Sequence, residues 1–212
     1  RDILEADLIM FTGGADISPS IYGEEISRTY WGNEHRDEVE IEVFKKAVEL
    51  DIPMIVDEIQ CGMGRSGKLF AFEYADIVPD VILASKAIGG SQPLSVVIYN
   101  KKLDIWTQGA HAGTFRGNQL AMKAGTIVLN RVSKPEFLAD VIRKGKIIEE
   151  RLQELKNKVS IIGDIRAKGL MIGTEFVNPK GQADSIGSLP ACGEIAAKVQ
   201  KLCFENKVVM EK

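Results

Sequence analysis

Residues 53–73, PMIVDEIQCGMGRSGKLFAFE, run a short apolar strand straight into two adjacent carboxylates, Asp57 and Glu58, and then into a stretch with glycine at 62, 64 and 67. Apolar, β-branched residues bounded by proline and by charge read as a buried strand. The chain therefore ends a covered element on paired negative charge. Its neighbours repeat the pattern: DVILASK (80–86) and LSVVIYN (94–100) are short, apolar and bounded by Gly, Pro or Asp. Between comparable runs lies DEVEIEVFKKAVEL (37–50), which puts Val39, Val43, Phe44 and Ala47 on one helical face. Upstream, ADLIMFTGG (6–14) reads as a strand ending in the Gly13-Gly14 turn. Uninterrupted apolar strands alternating with helices are covered on both sides, which predicts an α/β fold with a mostly parallel sheet and helices on both faces.

Downstream the periodicity becomes helical. GNQLAMKAGTIVLNRV (117–132) has apolar residues at helical spacing, and residues 133–159 form a long amphipathic segment with Ser133 as its cap and Pro135 in its first turn. After Gly163 the pattern changes to GLMIGTEFV (169–177), a loop over 178–190, a helix over 193–206 and a last strand, KVVME. A boundary falls near 155–162. Residues 1–158 read as one α/β region and 159–212 as part of a small α+β domain.

The 212-residue chain is long enough to hide roughly 70% of its unfolded surface. Its composition, 45% hydrophobic and 27% charged, is that of a globular domain. A formal charge of -3 with no Lys/Arg-rich run gives no attraction for phosphodiester backbones, so nucleic acid is not an expected partner. The apolar runs are far shorter than the roughly 20 residues a membrane span needs. Three cysteines, Cys61, Cys192 and Cys203, without close pairing fit a reducing compartment, and a cytoplasmic location is the expectation. With two histidines and no Cys-x-x-Cys, no metal site is expected.

In a parallel α/β sheet, ligands gather at the carboxyl ends of the strands. Asp57, Glu58, Gln60 and Lys86 would collect there. Lys86 follows Asp57 by 29 residues (86 − 57), one strand-to-strand connection of βαβ length. Such a couple is either an ion pair at the sheet end or a pair facing one ligand. Favouring the ligand, SKAIGGSQPL follows the lysine with glycines that permit close backbone approach, and a desolvated lysine becomes the neutral amine that nucleophilic catalysis requires.

IVDEIQCGMGRSGKLFAFE, PDVILASKAIGGSQPLSVVIYN and HAGTFRGNQLAMKAG, in that order and spacing, resemble three consecutive motifs of the class III pyridoxal-phosphate aminotransferases, most closely the diaminobutyrate:2-oxoglutarate type. The resemblance covers about 52–212 and implies a fold type I large domain with pyridoxal 5'-phosphate as cofactor. It implies that Asp57 holds the pyridine nitrogen and Gln60 the ring's phenolic oxygen. Lys86 would carry the cofactor on its amine and, once released by substrate, move the substrate proton. Thr114 would reach the phosphate of the cofactor in a neighbouring subunit, implying a homodimer, and Glu58 would orient the surroundings. The substrates implied are an ω-amino, diaminobutyrate-like donor and a 2-oxo acid acceptor. The Arg65 loop reads as structural, and His111 as either a loop residue beside the active-site mouth or a simple cap.

The first fifty residues differ. DLIMFTGGADISPSIYGEE and HRDEVEIEVFKKAVELDIPM are similar to class I glutamine amidotransferases of the γ-glutamyl-γ-aminobutyrate hydrolase type over about 6–54. That family places its cysteine nucleophile where this chain has Glu58, and a carboxylate cannot replace a thiolate in amide transfer. The triad logic is absent, and Cys61 falls within the aminotransferase motif. The chain reads as a mosaic joined within DIPMIVDE, and the phosphate-binding Gly/Ser loop of the aminotransferases is not recognisable upstream. An incomplete aminotransferase, a hydrolase lacking its nucleophile and a non-catalytic α/β scaffold remain the competing readings.

Overall fold

The computed structural model describes residue 9, residues 34–184 and residues 187–211. The Gly13-Gly14 turn and all but Ile9 of the strand expected over 6–14 lie outside these. The chain divides into two compact units, one comprising Pro53–Ile147 with Lys168–Met171, the other Arg1–Ile52 with Ile148–Ala167 and Ile172–Lys212.

In the first unit a three-stranded sheet runs in the order β1 (Ile55–Asp57), β2 (Val81–Ala84), β3 (Val96–Tyr99). β1 and β2 are parallel, with Asp57 opposite Leu83, so both strands deliver their carboxyl ends to the same edge. β3 returns antiparallel, Ala84 opposite Val96, as a sheet of otherwise parallel type accommodates at its margin. The crossover from β1 to β2 contains a single 3₁₀ turn, Ala71–Tyr74, where a full helix would have been the usual solution. The glycines at 62, 64 and 67 account for this, because glycine is among the weakest helix formers. At the opposite edge Asp80 fastens the two strands: its Oδ2 accepts the Met54 N–H at 3.0 Å and its Oδ1 receives Lys102 Nζ at 2.8 Å. The Lys102 ammonium first, and then the Met54 amide, hold the Asp80 carboxyl below the usual carboxylate range.

Helix α2 (Gln119–Val132) starts at Asn118, whose side chain accepts the Ala121 N–H. It packs on the 3₁₀ turn Lys86–Gly89 that follows β2. Ser133 closes this helix, its N–H donating to Leu129 O, and does not open the next one. Helix α3 (Pro135–Lys158) begins on the proline itself, whose missing N–H costs nothing at a first helical position. The core is Met63, Ala84, Ile88 and Val132, with Leu69, Phe70, Leu94, Val96, Val128 and Phe137 packed around it. The glycine-rich crossover, the end of β2 and the last turn of α2 are thus held by one cluster.

The second unit contains α1 (Glu34–Glu49), the end of α3, and the two-stranded sheet of β4 (Ile162–Lys168) and β5 (Met171–Phe176), apart from the turn between them. Helix α4 (Gly193–Glu205) completes it. Ile162, Ile165 and Val177 are buried here. Arg166 bridges Asp164 at 2.9 Å and Glu175 at 3.2 Å across the strand pair. KVVME is not a strand: Val208 N–H turns back to Cys203 O at 2.8 Å and Gln200 holds Met210 O, so this apolar run folds against the end of α4. No helix among the described residues is long and apolar enough to cross a membrane.

Candidate functional site

The carboxyl ends of β1 and β2 bring Gln60 and Lys86 together, Lys86 Nζ donating a hydrogen bond to Gln60 Oε1. Lys86 sits immediately past β2, at the first residue of its 3₁₀ turn, with φ +48, a left-handed conformation that costs a non-glycine residue about 1–2 kcal/mol. Ile88 N–H donates to Ser85 O, and the Ser85 hydroxyl is tied to Leu94 O at 3.0 Å, which fixes the backbone on either side of the lysine.

Asp57 and Glu58 are adjacent in sequence and differ in environment. Asp57 is exposed, and its Oδ1 accepts the N–H of Ile59 at 2.9 Å, closing a tight turn at the strand end. Glu58 is 3% exposed. Its Oε1 accepts the Phe72 N–H at 2.8 Å, and its Oε2 accepts the Ala71 N–H at 3.0 Å and the Cys61 thiol at 3.1 Å. One buried carboxylate thus ties the start of the crossover to residues thirteen and fourteen positions later. That answers why a strand should end on paired charge: Glu58 satisfies main-chain donors that would otherwise be stranded in the interior. Burial, and then the Glu58 carboxylate, push the Cys61 thiol up to about 11, so it stays protonated and un-nucleophilic near neutral pH. Gly67 needs its φ of +92, and a Cβ there would overlap Ile142.

Lys86 also lines an open cleft of about 450 Å³, together with the turn at 92–95 and residues 115–118. Thr114 immediately precedes that wall and is exposed, as is the whole segment 107–118. His111 is exposed too, edge-on to Trp106 at 4.6 Å between ring centroids. The structure therefore joins Lys86 with Gln60 directly, places Asp57 at the neighbouring strand end with its carboxylate engaged by its own turn, and puts Thr114 beside the cleft. Arg116, a cleft residue, was not singled out from sequence; its place within GTFRGN, next to Thr114, was the signal available.

This constellation suits a planar phosphorylated pyridine. An amine on a strand end can take the aldehyde carbon, an amide beside it can meet a ring oxygen, a carboxylate stands at the adjacent strand end, and the cleft lies within the size range of cofactor sites. The family model described as Aminotransferase class-III matches residues 38–208, and the chain belongs to that family, whose members depend on pyridoxal phosphate and have the fold type I architecture. Among the relatives, the diaminobutyrate–2-oxoglutarate aminotransferase of Rhizobium meliloti is 45% identical over 163 residues, covering 77% of this chain and 35% of that protein. The Haemophilus influenzae enzyme of the same name is 44% identical over 161 residues, 76% of this chain and 36% of that one. A solved Bacillus anthracis aminotransferase superposes with a TM-score of 0.70 at 27% identity, over 81% of this chain and 39% of its own. The chain thus spans about a third of the length of the relatives it matches. A second family model, Peptidase C26, matches residues 2–57, so the sequence is a mosaic. Position 58, one residue past that match, carries the buried carboxylate just described.

Proposed function

We propose that this chain forms part of an enzyme that moves an amino group between an ω-amino, diaminobutyrate-like donor and 2-oxoglutarate, working as a cytoplasmic homodimer. The observation that carries the reading is Lys86, held in a strained conformation at the end of β2, hydrogen-bonded to Gln60 and open to a cleft, in a chain of class III lineage. The names of the two relatives given above, at 45% and 44% identity, support the substrate pair. Three free cysteines agree with a reducing compartment.

Bound pyridoxal phosphate supplies an electron sink for the charge left on the substrate carbon when its proton departs. The chain's own residues divide the remaining work. Lys86 would anchor the cofactor covalently through Nζ and, when freed, take and return the substrate proton at that atom. Asp57 would turn from the Ile59 amide toward the pyridine nitrogen and keep it protonated. Gln60, beside Lys86, would donate to the ring's phenolic oxygen. Thr114 would reach a phosphate across a subunit boundary, which is the basis for proposing a dimer. Glu58 would keep the Gln60 turn in register through Ala71 and Phe72. In domain terms, 1–158 would correspond to the large-domain-like region, its first 52 residues of amidotransferase-like sequence, and 159–212 to part of the small domain.

Titration with pyridoxal phosphate, followed by visible absorbance, tests the reading. A saturable band shifted from that of the free cofactor is expected in the wild-type chain and not in Lys86→Ala. An identical titration in the two proteins contradicts it and favours a non-catalytic scaffold.

A further inference from the structure

We infer that Arg116 is the residue that selects a dicarboxylic substrate in the Lys86 cleft. The inference deepens the proposed function and rests on Lys86 being the reactive amine.

Lys86 and Arg116 both line the cleft, and among the described residues that line it none is acidic. Two cations facing one concavity, in a chain whose net charge is -3, form a local positive site against the overall balance. No carboxylate among the described residues is paired with Arg116. Its guanidinium donates through one Nη to the main-chain carbonyl of His111. That contact uses one of five N–H donors and leaves the others for a ligand. The turn beneath it is itself hydrogen-bonded, Arg116 N–H to Gly113 O at 3.0 Å and Asn118 N–H to Phe115 O at 3.2 Å.

A planar guanidinium matches a carboxylate through two parallel hydrogen bonds, a geometry an ammonium cannot reproduce. Lys86 marks the reacting end of the cleft, so Arg116 addresses an anionic group elsewhere on the substrate, and the exposed Phe115 ring offers apolar surface for a short methylene chain. The ligand class is an aliphatic dicarboxylate. The rival anion is a phosphate group, because Thr114 lies two residues away.

Calorimetric titration of the full chain without cofactor, using glutarate, butyrate and inorganic phosphate, separates the possibilities and needs no turnover. Wild type is expected to bind glutarate more tightly than butyrate. Arg116→Gln should weaken glutarate by about ten- to a hundredfold, the range expected for losing hydrogen bonds to a charged group, and weaken butyrate less, because its one carboxylate can pair with Lys86 instead. Arg116→Lys, which keeps the charge and loses the fork, should fall between, and circular dichroism of both variants should match wild type because the position is exposed. Equal affinity for glutarate and butyrate in wild type, or a preference that survives in Arg116→Gln, overturns the inference. So does phosphate binding more tightly than glutarate with the same dependence on Arg116. Failure of Lys86 to take up cofactor is read by the absorbance titration above and would sink the proposed function instead.

Discussion

Replacing Glu58 with alanine removes the acceptor of two main-chain N–H groups and one thiol from a site that is 3% exposed. Stranding a buried donor costs about 1–3 kcal/mol, so the two amides alone set a range of about 2–6 kcal/mol. Ala71 and Phe72 are only half-buried, and water entering the vacated space will partly satisfy them, which places the expectation at about 2–4 kcal/mol. With a urea slope of about 2 kcal/mol/M, the unfolding midpoint should drop by about 1–2 M. Glu58→Gln keeps one carbonyl oxygen but turns an NH₂ toward a donor, so it should lose about half as much. Equilibrium urea unfolding followed by circular dichroism measures both. If Glu58→Ala lies within about 0.5 kcal/mol of wild type, as a surface substitution would, the carboxylate is not what holds the crossover and the reasoning about residues 58–72 fails. An aspartate at 57 offers the contrast: Asp57→Asn keeps the turn to Ile59 and should leave stability nearly unchanged.

Other consequences follow from the same contacts. Because burial and Glu58 raise the Cys61 thiol from an ordinary 9.0 to about 11, the neutral thiol is favoured by folding; the stability it contributes is complete below pH 9 and is lost as pH rises through about 11. Alkylation mapped by mass spectrometry should therefore show Cys61 reacting far more slowly than a free thiol near pH 8, and faster in Glu58→Ala. Asp80 shifts the opposite way, so its contribution is present above the ordinary carboxylate range and disappears as pH falls through its lowered value. An Asp80→Asn chain should lose less stability on acidification than wild type, measured by thermal unfolding across that range. Gly145→Ala should destabilise by about 1–3 kcal/mol, since its Cβ would overlap the main chain of Gly169, and a urea midpoint equal to wild type would refute that close packing.

The parts of the fold that sequence revealed are those set by local pattern. Apolar runs bounded by Pro, Asp and Gly located β1, β2 and β3, and helical spacing located α1 to α4, although the covered strands expected from those runs are exposed at Ile55 (53%), Val97 (56%) and Ile98 (44%). β4 went unseen because Asp164, Arg166 and Lys168 alternate with Gly163, Ile165 and Ala167, so the strand looks like a polar linker until Glu175 on β5 supplies the partner for Arg166. KVVME erred in the opposite direction: it has strand composition, but its hydrogen bonds return to α4, and composition carries no information about partners. The antiparallel course of β3 depends on a tight return after the Lys86 turn, which periodicity does not encode. At the site, motif order pointed to Asp57, Gln60, Lys86 and Thr114. The resemblance also gave Glu58 an orienting role, but its amide partners lie thirteen and fourteen residues away and carry no signature of their own.

The most direct test of the account is reduction with borohydride after incubating the chain with pyridoxal phosphate, followed by peptide mapping. The account predicts a pyridoxyl group fixed on Lys86 in preference to the other lysines, and lost in Lys86→Ala without transfer to Lys68 or Lys123. A label spread evenly over surface lysines, or one that ignores Lys86, would contradict it.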